Sequence, residues 1–270
     1  MILDLCAGGL AGIISRTGVA PLELWKIQSQ ASYIPDSSIK QVLRKEGLRY
    51  LWKGNFTNCV RIAPQLAVNF AIFEEAKKHI KTPYKDVNNL ASGALAGSIS
   101  MAVIYPLETI RSRLSLQTNK SHYTGIYDCI KKMKITDMYK GLRVSLMGIT
   151  PYTALNFAFY HNFKDYFNNK NINGHTNKML SGGLSGMVAV TFTYPTDLIR
   201  RQLQLQGFDP TVPKYDGFID CVRKIVRNQG IRGLYRGLVP CYITIFPKFA
   251  LQFWGFEMCQ TNIKKYMNNI

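Results

Sequence analysis

The sequence predicts an all-α membrane protein, with six transmembrane helices carried by three parallel tandem repeats of about 90 residues. Three observations predict it. Three short motifs recur three times in the same order. Two long apolar stretches fall within each recurrence, and several are too long and too free of charge for ordinary core helices. The surplus of 34 Lys and Arg over 16 Asp and Glu, a formal charge of +18, gathers mainly between the stretches.

The first motif is a glycine cluster, Gly8-Gly9-Leu10-Ala11-Gly12, which returns as Gly93-Ala94-Leu95-Ala96-Gly97 and Gly182-Gly183-Leu184-Ser185-Gly186. Small residues four apart let helix backbones approach in lipid, where packing drives association. Thirteen residues after the first glycine of each cluster stands a proline followed by an acid and a base. These read Pro21-Leu22-Glu23-Leu24-Trp25-Lys26, Pro106-Leu107-Glu108-Thr109-Ile110-Arg111 and Pro195-Thr196-Asp197-Leu198-Ile199-Arg200. Each proline removes a backbone hydrogen bond and is expected to kink its helix. The third motif is aromatic-basic-Gly: Trp52-Lys53-Gly54, Tyr139-Lys140-Gly141 and Tyr235-Arg236-Gly237. The repeats divide the chain at 1–84, 85–174 and 175–270.

Leu90–Leu107 and Met179–Thr196 are uncharged over 18 residues, and Val144–Tyr160 over 17. The other three spans are interrupted by Arg16, Arg61 and Lys248, so hydropathy alone finds about half of the helices and the repeat register supplies the rest. Two spans per repeat make every repeat enter from the same side, related by an axis along the membrane normal. The long loops 31–53, 114–143 and 203–236 hold 17 Lys and Arg, against 7 in the short loops 74–89 and 164–178, which orients the bundle. Basic runs beside apolar residues, such as Lys40, Arg44 and Lys45, suit amphipathic helices at the headgroups.

No enzyme is expected. The six cysteines form no Cys-x-x-Cys pair and the four histidines no metal-binding pair. Phosphate-binding glycine loops and calcium loops are absent from the sequence, so neither a cofactor nor a metal is expected. A charge of +18 would suit a nucleic-acid partner, but such a protein would not place its aromatics inside 18-residue uncharged runs.

The acid two residues after each proline and the base five after it are ionisable groups near one end of a span. They should face the bundle interior and pair with one another. Glu23, Glu108 and Asp197 can close a ring with Lys26, Arg111 and Arg200. Such a ring contributes little stability, because desolvation offsets the attraction, but it suits a latch with two arrangements of similar energy.

Pro-x-acid-x-x-base in triplicate, each copy with its downstream aromatic-basic-Gly, resembles the mitochondrial carrier family over nearly the whole chain. The resemblance implies six tilted helices around a central cavity, short amphipathic helices on the matrix side, and solute antiport by alternating access in the mitochondrial inner membrane. It implies that Gln30 and Gln204, four residues after the motif base, brace the matrix latch, with Ser115 in the third place. It implies cardiolipin at Gly54, Gly141 and Gly237, and a monomer. A second, cytoplasmic latch is implied at the ends of the even helices: Glu74 with Lys77, His161 with Lys164, and Glu257 with Gln260. His161 stands where the pattern has an acid and Gln260 where it has a base, so this outer gate should be the weaker. The loop motif acid-Gly is present as Glu46-Gly47 and altered in the other repeats.

For the solute, the resemblance points to Arg61, Gly148 and Thr244, one on each even helix, with Lys248 a turn beyond Thr244. Gly148-Ile149 resembles the pair with which adenine nucleotide carriers receive a flat base, and Tyr152 could stack on it. Arg16 and Arg61 are guanidiniums inside apolar spans with no acid three or four residues away, so a phosphorylated solute is the expected partner of each. The segment resembles the adenine nucleotide, ATP-Mg/phosphate and coenzyme A group. Another small anion, such as thiamine pyrophosphate, is the alternative, and a basic nucleic-acid-binding protein a remote one.

Overall fold

The computed structural model describes residues 2–31, 44, 47–80, 85–117, 123–172, 174–207 and 212–268. Among these residues all regular structure is helical. The first repeat holds α1 (Ile2–Gln30), a short 3-10 turn (Leu48–Trp52), α2 (Asn55–Val60) and α3 (Ile62–His79), with α2 running almost directly into α3. The second holds α4 (Lys85–Leu116), two short helices α5 (Ile126–Lys132) and α6 (Ile135–Met138), and α7 (Leu142–Asn169). The third holds α8 (Gly174–Leu205), α9 (Phe218–Gln229), a 3-10 turn (Ile231–Tyr235) and α10 (Leu238–Asn268). Pro21, Pro106 and Pro195 all lie within unbroken helices.

The long helices form a ring. α3 packs on α4, α7 on α8, and α1 on α10, so the first and last long helices close it. Val87–Leu116 is the one helix among the described residues apolar enough along its length to span a membrane by composition. That is fewer than the half expected from the uncharged runs. Met179–Thr196 has no charge, but it carries three glycines, two serines and three threonines. Large apolar side chains are nonetheless exposed, among them Leu10, Ile13, Phe70, Val103, Phe192 and Trp254.

The glycine clusters do less packing than their spacing suggests. A Cβ at Gly8, Gly93 or Gly182 would meet nothing described within 4 Å. Close approach occurs at one cluster glycine, Gly183 beneath Phe246, and outside the clusters at Gly18 beneath Leu251 and at Gly255 against the backbone of Ala11.

The connecting helices are amphipathic. α5 and α9 bury Cys129 and Cys221 beneath them and expose Tyr127 and Ile219 beside lysines and arginines. That pattern fits a helix lying at headgroup level. Of the basic run in the first repeat, Lys40 and Lys45 lie outside the described residues, as does Glu46.

Candidate functional site

The three proline motifs bring their acids and bases together at one end of the ring. Lys26 pairs with Asp197 at 3.1 Å, Arg200 with Glu108 at 3.1 Å, and Arg111 with Glu23. Each acid therefore takes the base of the next repeat in cyclic order, and the six residues close as the spacing predicted. α1, α4 and α8 place them there because the acid and the base, three residues apart, share one face of a helix.

The pairs are not equivalent. Glu108 is buried and faces Arg61, Arg200 and Arg201 together. Glu23 takes Arg111, Lys248 at 3.4 Å, and the amide of Asn58 at 3.1 Å. Asp197 is the most exposed of the three and receives Lys26 and, at 3.7 Å, Arg200. Arg16, Lys26, Arg61, Arg111, Arg200, Arg201 and Lys248 are seven cations against three carboxylates. The group carries an excess of four positive charges.

The expectation that Arg16 and Arg61 lack protein partners is corrected here. Arg61 pairs with Glu108 of the second repeat, and Arg16 donates to Asn58 Oδ1 at 2.7 Å and to the Asn58 carbonyl at 3.3 Å. Both partners stand on a different helix from their arginine, Asn58 on α2 and Glu108 on α4. Thr244 does not project a free hydroxyl: it is buried and donates to the Pro240 carbonyl, one turn back, at 2.7 Å. Lys248 is half-exposed and does reach the centre, through Glu23.

Gly148, Ile149 and Tyr152 line a cavity of about 260 Å³ with Met101, Val190 and Thr193, and Asp197 and Arg200 form its charged wall. The shelf is therefore next to the ring, as the sequence suggested. Gly148 also serves packing, because a Cβ there would lie 2.7 Å from Thr196 Oγ1.

Beneath the ring the two glutamines differ. Gln204 accepts from Ser112 at 3.1 Å and from Arg201 at 2.9 Å. Gln30 donates to the Tyr194 hydroxyl at 3.3 Å rather than to the ion pair above it. Two residues after the motif base, Arg113 donates to the carbonyls of Gln204 and Gln206, and Gln202 to that of Gln30. These bonds clasp the C-terminal ends of α8 and α1, where carbonyls lack intrahelical partners. The equivalent Gln28 turns to the Tyr50 hydroxyl instead.

Gly54, Gly141 and Gly237 each precede the first residue of an even helix, with φ of 80°, 85° and 87°. Only glycine enters that region freely. Each also sits hard against the C-terminal end of an odd helix: Gly54 against Ser115, Gly141 against the Arg200 carbonyl, Gly237 against Gln30. Tyr105 and Tyr194, just before the motif prolines, donate to the carbonyls of Lys140 and Arg236. They also stack on Tyr139 and Tyr235.

The chain matches the mitochondrial carrier protein family in three consecutive stretches, residues 1–84, 82–171 and 173–267. It belongs to the mitochondrial carrier family. Among curated relatives, a mitochondrial adenine nucleotide transporter of Arabidopsis thaliana is 35% identical over 94% of this chain and 85% of its own length. A human mitochondrial adenyl nucleotide antiporter is 32% identical over 94% of this chain, which spans only 57% of it. A Zea mays mitochondrial carrier protein, CoAc2, is 30% identical over 97% and 87%.

At the opposite end of this carrier the ring has no counterpart. Among the described residues, no ion pair links Glu74, Lys77, His161, Lys164 and Glu257 across the bundle. Lys77 lies over the Phe73 ring of its own helix, and His161 packs edge-on against Phe157. The ion pairs that join the three repeats thus gather at the proline-motif end. Asn58, Arg113, Arg201, Gln202 and the two tyrosines were missed by sequence reasoning. The tyrosines could have been found from the repeated Tyr-Pro, and Arg113 and Gln202 from their shared offset after the base.

Proposed function

We propose that this carrier exchanges adenine nucleotides, or a related adenine-bearing phosphorylated metabolite, across the mitochondrial inner membrane. Its six long helices span the bilayer, tilted about a pseudo-threefold axis, and solute passes by alternating access. The observation that carries the reading is the excess of four cationic groups beside an apolar cavity walled by Gly148, Ile149 and Tyr152. Phosphates need the first and a flat base the second; inorganic phosphate would leave the cavity unused. The names of the relatives from Arabidopsis and human support the same solute class.

Arg16, Arg61 and Lys248 are the phosphate ligands in this reading. Arg61 and Lys248 exchange Glu108 and Glu23 for the solute, so binding withdraws counter-ions from the latch. Thr244 shapes the third wall. The ring of Glu23, Glu108 and Asp197 with Lys26, Arg111 and Arg200, braced by Gln30 and Gln204, is the matrix gate. Glu74, Lys77, His161, Lys164, Glu257 and Gln260 form a weaker cytoplasmic gate. Gly54, Gly141 and Gly237 open helix N-termini to cardiolipin phosphates, and the carrier works as a monomer.

The test is uptake into proteoliposomes preloaded with AMP, ADP, ATP, coenzyme A, thiamine pyrophosphate or phosphate. Exchange of adenine-bearing solutes at least tenfold faster than of thiamine pyrophosphate is expected. Equal exchange of phosphate alone, with no nucleotide uptake, would remove the reading and leave the carrier fold standing.

A further inference from the structure

Asn58 sits one turn past Gly54 at the start of α2 and is 1% exposed. Both ends of its amide are engaged by charged partners. Oδ1 accepts from the Arg16 guanidinium at 2.7 Å, and Nδ2 donates to the Glu23 carboxylate at 3.1 Å. A neutral amide offers donor and acceptor on one short stem; a carboxylate would offer acceptors only, and an aliphatic side chain neither.

The bridge occurs once. The equivalent residues of the other repeats, four past Gly141 and Gly237, are Ser145 and Cys241. Ser145 donates to Gly141 and Tyr105, and Cys241 lies in an apolar cluster. The bridged seam is also the one with a serine, Ser115, in the brace position. There a void of about 10 Å³ remains among Glu23, Arg111, Asn58 and Ser115. Glu23 is held from the central side by Asn58 and Lys248, with no glutamine beneath it.

We propose that Asn58 is a positioning residue that ties Arg16 to the gate acid Glu23, so that an anion drawing on Arg16 loosens the seam between the first and second repeats. The proposal rests on the reading of Arg16 as a solute ligand. Once its oxygen is released by Arg16, the amide is free to turn, and its donation to Glu23 loses its aim. The seam with a serine in the brace position is then the one in direct contact with the solute.

The experiment uses the full chain in liposomes, with labelled ADP exchanged against ADP and, separately, labelled phosphate against phosphate. Asn58→Asp keeps the volume and the acceptor toward Arg16 but sets a second carboxylate against Glu23. Exchange should fall at least tenfold. Adding Glu23→Gln, whose amide can donate from the other side, should raise the rate at least threefold above Asn58→Asp alone. A residue that only fills space would not be repaired by a change that also removes a gate ion pair. Asn58→Ser, which cannot serve both partners, should lower kcat tenfold with KM within twofold of wild type. Asn58→Asp exchange within twofold of wild type, no gain in the double variant, or an unchanged kcat in Asn58→Ser would overturn the proposal. If wild type exchanges phosphate and not ADP, the nucleotide reading fails, and the same variants measured on phosphate still decide the role of Asn58.

Discussion

Glu108 faces three guanidiniums, and its neutralisation is where single-residue chemistry should be most visible. Removing one partner from a buried charge cluster costs on the order of 3–5 kcal/mol, because the charges left behind stay buried. Glu108→Gln should therefore melt earlier and exchange at less than a tenth of the wild-type rate. Adding Arg200→Gln should restore part of both, and adding Lys26→Gln should not, since Lys26 belongs to Asp197. Equal rescue by either change would mean that the ring pairs differently in the membrane. Gly148 poses a separate question, because packing and solute both claim it. Gly148→Ala should destabilise by about 1–3 kcal/mol through contact with Thr196. Thr196→Ala should relieve that contact. If nucleotide exchange stays low in the melting-restored double variant, the glycine serves the solute; recovered exchange would leave packing as its whole role. Much of this was legible from the sequence. The motif spacing placed all six ring residues, and Gly148, Ile149 and Tyr152 reached the cavity. What escaped was the third dimension of Arg16 and Arg61. A search for acids three or four residues away sees one helix, while their partners stand on others.

At the scale of elements, each even helix begins at a glycine with positive φ wedged against the end of an odd helix. A side chain in that backbone conformation costs about 1–2 kcal/mol before any contact is counted. Gly237→Ala adds an approach of 2.8 Å to the Tyr194 hydroxyl. Its melting temperature in detergent should fall, and more than that of Gly182→Ala, where a Cβ meets open space. The reverse order would detach the packing role from the aromatic-basic-Gly motif. Spacing alone cannot rank these glycines, since small residues four apart look alike whether they face a neighbour or lipid. The short helices give a chemical probe of the same packing. Burial pushes the Cys221 thiol from its ordinary 9.0 up to about 12. The folded thiol should thus resist alkylation at pH 8 and become reactive only as α9 unfolds. Above pH 9 the unfolded chain releases that proton first, so stability should decline with rising pH through this window. Rapid labelling of Cys221 in folded protein at pH 8 would show that α9 does not stay docked.

For the whole molecule, the ion pairs between repeats gather at the proline-motif end, and among the described residues none joins Glu74, Lys77, His161, Lys164 and Glu257 across the other. His161 and Gln260 should keep the outer latch weak, so His161→Asp with Gln260→Lys should lengthen its closed periods and slow exchange in liposomes. An unaltered rate would take these two positions out of the gate. The composition of the helices hid part of this architecture. Glycine, serine and threonine lower the hydropathy of α8, Arg16 and Lys248 that of α1 and α10, and the charged residues Glu74 to Lys78 that of α3, and only the repeat reveals these helices as equals of Val87–Leu116. Their equality has a limit. α1 meets α10 as α3 meets α4 and α7 meets α8, so the backbone ring has no preferred starting point around its axis. A solute in a site of true threefold symmetry would have three indistinguishable poses and gain RT ln 3, about 0.65 kcal/mol, from the choice. The charges withdraw that degeneracy. Arg16, Arg61 and Lys248 crowd toward Glu23 and Glu108, and the apolar cavity lies toward Asp197. A molecule with one charged end and one flat end can face only one way round, and a ring built by repetition thereby acquires a compass bearing.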